Sequence, residues 1–173
     1  TFTFDQNGCS SPHAVIWIGK KNKLIKQKFW SKLTEIVNVK YDQNLSISNK
    51  KIKNLINLAI NNEINFKANL ENFKVLRLEG FNLNTKKISN IRNSFGTFLD
   101  IEIDKLSDLK KITSKKIQTI TYFGYDKNEI LDMLIKNNSI GVDRLVPIGR
   151  AIDISPIWDG YDIIGSLSRR ISI

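Results

Sequence analysis

The run AVIWIGKKNKLIKQKFWSKLTEIVN, residues 14–38, decides the fold. Its opening, Ala14–Ile18, is continuously apolar and stops at Gly19, as a buried strand does. The period then changes. From Asn22 to Asn38, Ile25, Phe29, Leu33, Ile36 and Val37 recur at helical spacing, with lysines on the other face. Outward from this unit the alternation continues. A polar loop, Tyr41–Asn44, leads to a second helix with Ser48 as its predicted N-cap and Ile52, Leu55, Ile56 and Ala59 along one face. Phe73–Leu78 and Leu99–Ile103 read as strands, the second alternating Leu99, Ile101 and Ile103 between acids. A helical turn near Asp108–Ile112 precedes a β-branched, aromatic strand, Ile117–Phe123, ended by Gly124. Asp126 with Glu129 three residues on makes a capping box for a helix to about Lys136, closed by Asn137, Asn138 and Gly141. Val142–Ile148 is the last strand, and the tail from Gly149 reads as irregular. Strand and helix in turn predict an α/β fold, a largely parallel sheet flanked by helices. Neither a repeat nor a Pro/Gly/Ser-rich linker divides residues 1–173, so one domain is expected.

Length and composition narrow the function classes. The 173 residues suit one globular domain. A single cysteine excludes a disulfide scaffold and a multi-cysteine metal centre, and fits a reducing, cytoplasmic setting. No stretch approaches the roughly 18 apolar residues of a membrane span, and no signal peptide is visible. The chain opens Thr1-Phe2-Thr3-Phe4 without methionine, and is expected to be a piece of a longer protein. The net charge of +10 invites a phosphate-bearing partner, but it is uneven: residues 20–53 hold ten lysines and two acids. Of the 27 basic residues 21 are lysine, whereas base reading leans on arginine. Solvated helix faces are the expected use of this charge, and nucleic acid is not an expected partner.

Two segments spend their residues on chemistry rather than core. In FDQNGCSSPH, residues 4–13, Cys9 is the only thiol and its neighbours are small and polar. Gly8 lets the backbone bend and leaves room beside the sulfur, and Ser10-Ser11-Pro12 resembles the opening of a helix or turn. Backbone N–H groups at such a turn can activate a thiol and hold an oxyanion. His13 is the only histidine; Pro12 prevents helical spacing from placing it against Cys9, so a pocket-lining role is expected for it. In GVDRLVPIGRAIDISPIWDGYDII, residues 141–164, Asp143, Arg144, Arg150, Asp153, Trp158, Asp159 and Tyr161 gather charges and aromatics suited to a pocket or an interface.

FDQNGCSSPH and the closing VDRLVPIGRAIDISPIWDGYDIIGSLSR together resemble the C-terminal part of the LuxC-type fatty acyl-CoA reductases of bioluminescence operons, distant members of the aldehyde dehydrogenase superfamily. Histidine stands at position 13 where that family is expected to carry glutamine, so His13 receives no family role. The resemblance implies an aldehyde-dehydrogenase-like catalytic domain, truncated, with its nucleotide-binding domain upstream and outside this chain. Cys9 would attack an acyl-CoA, or take the acyl group from an acyl-protein synthetase. NADPH would then reduce the thioester to a fatty aldehyde. Gln6, Asn7, Gly8 and Ser10 would shape the nucleophile loop, with the Cys9 or Ser10 N–H in the oxyanion hole. The longer parent is expected to form a homo-oligomer, and the isolated fragment to be inactive in aldehyde production. Two rival classes stand beside this: a non-catalytic binding module using the Lys-rich 20–53 face on anionic partners, and a hydrolase or acyltransferase pairing Cys9 with His13.

Overall fold

The computed structural model describes residues 1–19, 23–60, 66–80, 88, 91–169 and 171. Its centre is β4 (Thr97–Ile103), flanked in one sheet by β1 (Ala14–Ile18) and β3 (Leu76–Glu79), both parallel to it, with a short β2 (Lys67–Asn69) antiparallel on the far side of β3. The architecture is α/β with a mostly parallel sheet, as the sequence predicts; β2 is an addition to that reading. The register sets Ala14 and Leu78 beside Leu99, Ile16 beside Ile101 and Ile18 beside Ile103, so these side chains share one face. Leu76, Leu78, Leu99 and Ile101 are at most 2% exposed there. Each such burial contributes about 1.5–3 kcal/mol before the entropy of ordering is set against it.

The opposite face carries Val15, Trp17, Phe98 and Asp100, and helix α1 (Lys23–Lys40) packs on it. Trp30 lies 5.8 Å from Phe98 and 6.5 Å from Trp17, ring to ring, within a core of Trp30, Val37, Tyr41, Val75 and Phe98. Leu33 joins this core in part, while Ile25, Phe29 and Ile36 are more exposed than the helical period predicts. The expected start of α1 at Asn22 lies outside the described residues. Strand β4 is buried along nearly its whole length although acids alternate with its apolar residues. Asp100 is buried on the α1 side, where Trp17 Nε1 donates to it at 2.8 Å and Lys26 Nζ lies 3.1 Å away, itself 2.6 Å from Glu102. Burial holds the Asp100 carboxyl above its ordinary range, against the pull of Lys26 and Trp17.

Helix α2 (Leu45–Ile60) corrects two expectations. Its N-terminal cap is Asn44, whose Oδ1 accepts from Ile47 N at 2.9 Å, so Ser48 lies inside the helix. Its inward face carries Lys51, Asn54, Leu55 and Leu58, while Ile52 and Ile56 are 45% and 51% exposed. The reason is local. Lys51 and Asn54 donate to main-chain and hydroxyl oxygens just before β3 and β4, and this polar demand turns the helix away from its apolar stripe.

The chain forms two compact units, Thr1–Ile112 and Thr113–Ile173. In the second, β5 (Thr119–Tyr122) pairs parallel with β6 (Arg144–Pro147), and α3 (Lys127–Lys136) connects them. The Asp126 side chain accepts from the N–H groups of Asn128 and Glu129 as the N-cap, and Ile130, Met133 and Leu134 supply the buried face of α3. The tail is more ordered than its sequence suggests. A hairpin, β7 (Ile157–Trp158) and β8 (Tyr161–Asp162), turns through Asp159 and Gly160, and a one-turn helix, α4 (Ile163–Leu167), follows. Positive φ at both turn residues, 52° and 80°, is what a two-residue Asp-Gly hairpin loop requires.

Candidate active site

The Cys9 loop sits at the edge of the first unit's sheet where β1 and β4 begin. Phe2–Phe4 form a single 3-10 turn, and the chain then reverses through Asp5 (φ 51°) and Gln6 (φ 63°). Two consecutive non-glycine residues in the left-handed region cost about 1–2 kcal/mol each and persist only where their surroundings hold them. Here they are held. Gln6 is fully buried; its Nε2 donates to Pro12 O and Thr97 O, each at 2.8 Å, and its Oε1 accepts from Thr97 N at 3.0 Å. Asp5 O accepts from Phe95 N at 2.7 Å, and Asp5 Oδ1 accepts the Tyr41 hydroxyl at 2.6 Å. Burial, then this bond to Asp5, raises the Tyr41 pKa and keeps the phenol protonated.

On that foundation Gly8–Ser11 make a β-turn, Ser11 N donating to Gly8 O at 3.0 Å, with Cys9 and Ser10 as its two central residues. The Cys9 thiol is free and exposed. The N–H groups of Asn7 and Ser11 are engaged within the loop, while those of Gly8, Cys9 and Ser10 have no acceptor among the described residues. Consecutive unengaged N–H groups beside a thiol are the components from which an oxyanion site is built. Asn7 is exposed and its Nδ2 donates to Asp5 O at 3.2 Å. The backbone bends at Gly8, as expected, but a Cβ there would meet Ser11 Oγ at 3.4 Å, an ordinary contact, and the left-handed φ values fall at Asp5 and Gln6.

His13 enters β1 with its carbonyl accepting from Leu99 N at 2.9 Å and from Asn93 Nδ2 at 3.2 Å. Its Nδ1 is buried without a partner, and no hydrogen bond joins the ring to Cys9. Burial first, and then the neighbouring Arg92 charge, push the imidazole below its usual pKa, so it is neutral at pH 7. The backbone of His13 ties loop to sheet.

Residues the sequence does not flag complete the setting: Asp5, Tyr41, Thr97 and Lys51. Lys51 is 1% exposed, and its Nζ donates to the carbonyls of Phe73, Lys74 and Gly96. Burial pulls its pKa down to about 7.

The remaining predicted residues lie in the second unit. Arg144 does not pair with Asp143. Its Nη1 and Nη2 donate to Ala151 O (2.7 Å) and Asp153 O (2.9 Å), and its guanidinium stacks 4.0 Å from the Trp158 ring centroid. Arg150 pairs with Asp153 at 3.2 Å. Asp143 lies against Gly160, and Asp159 occupies the hairpin turn. Tyr161 is 72% exposed, available to a partner surface. Thus Gln6, Asn7, Gly8, Cys9, Ser10 and His13 form one assembly, and Asp143, Arg144, Trp158, Asp159 and Tyr161 another, in the second unit.

Among the described residues, no group of three or more His, Cys, Asp or Glu could hold a metal ion, and no helix is long and apolar enough to cross a membrane. A dinucleotide cradle needs a glycine-rich turn opening onto a helix N-terminus. The described residues offer none: α1 and α2 have no glycine in their approaches beyond Gly19, and α3 is approached by Gly124 alone. No model of a known protein family matches the chain, and no curated protein matches it.

Proposed function

We propose that the chain carries the acyl-accepting half of a LuxC-type, NADPH-dependent fatty acyl-CoA reductase, with Cys9 as nucleophile. The observation that carries this reading is the combination at one turn of an exposed thiol, three unengaged N–H groups and a strained approach held from beneath by Gln6. The Cys9 thiolate attacks the carbonyl carbon of an acyl thioester, the carbonyl oxygen gathers negative charge, and the N–H groups of Cys9 and Ser10 receive it. The tetrahedral adduct expels the CoA thiolate, which takes up a proton from water, and the acyl group stays on Cys9. The reduction is assigned to a nucleotide-binding domain outside this chain because the family resemblance places that domain upstream of the nucleophile.

Incubation with a long-chain acyl-CoA, followed by intact-mass spectrometry, tests the acylation. One adduct is expected on the native chain, removed by hydroxylamine and absent from Cys9→Ala. Absence of that adduct both here and in the full-length parent would end the reading. A His13→Ala variant that still acylates excludes the Cys–His alternative.

A further inference from the structure

We infer that Lys51 is the positioning residue of the Cys9 loop, acting through the Gly96–Thr97 peptide and Gln6. Lys51 is a helix residue far from the loop in sequence, and its side chain ends where three main-chain carbonyls converge: Phe73, Lys74 (3.3 Å) and Gly96 (3.4 Å). Converging carbonyl oxygens repel one another, and the ammonium is the group that can serve all three, having three N–H donors and no lone pair. The convergence is tight. Gly96 has φ +75°, and a Cβ built on it would stand 2.1 Å from Lys74 O, so the two segments meet backbone to backbone. Gly96 O also accepts from Leu76 N at 2.8 Å, which fixes the peptide against the start of β3.

The other end of the same peptide is the Thr97 N–H, and it donates to Gln6 Oε1. Gln6 Nε2 in turn donates to Pro12 O, beyond the Cys9 turn. A continuous chain of donors and acceptors therefore runs from the Lys51 ammonium to both flanks of Cys9. Each bond in such a chain polarises the next, so its members act together. A plain structural role, sealing buried carbonyls, predicts instead that removing Lys51 loosens the sheet as a whole.

Amide hydrogen exchange at pH 6 on the free chain separates the two. Lys51→Met keeps the length and apolar stem and removes the donors. The expected result is faster exchange, on the order of tenfold, at Asn7, Ser11 and Thr97, with Ile101 in β4 and Ile130 in α3 unchanged, since one lost hydrogen bond corresponds to about this factor. Gln6→Leu is expected to do the same from the other end, and the double variant to be no worse than the more affected single variant. Unchanged loop amides, equal loss in loop and strand, or additive losses in the double variant would each overturn the inference. Should Lys51→Met not fold, Lys51→Gln replaces it, and Gln6→Leu reads the far end alone. The inference rests on Cys9 as the reacting thiol only for its purpose. Exchange is measured without any thioester, so its failure and a failure of acylation are read separately.

Discussion

Gln6 and Lys51 do work at single positions that their residue types do not announce. A glutamine is ordinarily a surface residue, yet this one is fully buried with both amide ends bonded, and a lysine is among the last residues expected at 1% exposure. Lys51 carries a pH signature. Its folded pKa of about 7 lies below the ordinary 10.5, so between these values the unfolded chain holds a proton that the folded chain has lost. Stability conferred at this position therefore rises with pH across that window, by at most ~1.4 kcal/mol per pH unit. Urea unfolding of the native chain and of Lys51→Met at pH 6.5 and pH 9 checks this: the native chain is expected to gain on the variant at the higher pH, and a pH-independent difference would contradict it. The exposure of Cys9 was legible, because the thiol stands among small polar neighbours in a segment with no apolar period. Its support was not. Thr97 lies 91 residues from Gln6 and Gly96 lies 45 from Lys51, and no local pattern encodes partners at such separations.

At the level of elements, what could be read was whatever one segment decides alone. The strand Ala14–Ile18, the capped helix Lys127–Lys136 and the central strand around Leu99–Ile103 follow from apolar runs and a capping residue. What failed were facing directions. The apolar stripe of α2 through Ile52 and Ile56 has the right period, but the helix docks by Lys51 and Asn54, which donate to main-chain carbonyls and a serine hydroxyl just before β3 and β4. Short β2 escaped notice for a similar reason: three residues, Lys67–Asn69, carry no period, and only β3 beside them makes a strand. Two glycines provide a contrast that tests these packing arguments. Gly96→Ala is expected to destabilise by about 3 kcal/mol or more, because the backbone is at positive φ and the new carbon would overlap Lys74 O. Gly8→Ala, although next to the thiol, is expected to stay within about 1 kcal/mol of the native chain. Thermal unfolding of both variants decides; equal losses would refute the packing argument that separates these two glycines.

Over the whole molecule, the net charge of +10 is carried mainly by residues 20–116, which fall almost wholly in the unit that holds Cys9. On the proposed reading the acyl donor carries coenzyme A, a polyanion, and a basic unit would gather it by long-range attraction that salt screens. Acylation of Cys9 by acyl-CoA is expected to slow several-fold, roughly threefold to tenfold, between 0.02 M and 0.5 M salt, whereas acylation by an uncharged acyl-pantetheine is expected to hold steady. Parallel salt curves for the two donors would detach the charge from the substrate. The single sulfhydryl of the chain has one more consequence, in its behaviour toward oxidants. Peroxide would convert the exposed Cys9 to a sulfenic acid with release of water, and no second thiol exists in the chain to condense with it. Recovery must then come from outside: a small thiol such as glutathione forms a mixed disulfide and expels water, and a second one restores the sulfhydryl. The chain thus depends on the surrounding thiol pool to return from each oxidation, because it holds no means of repairing itself.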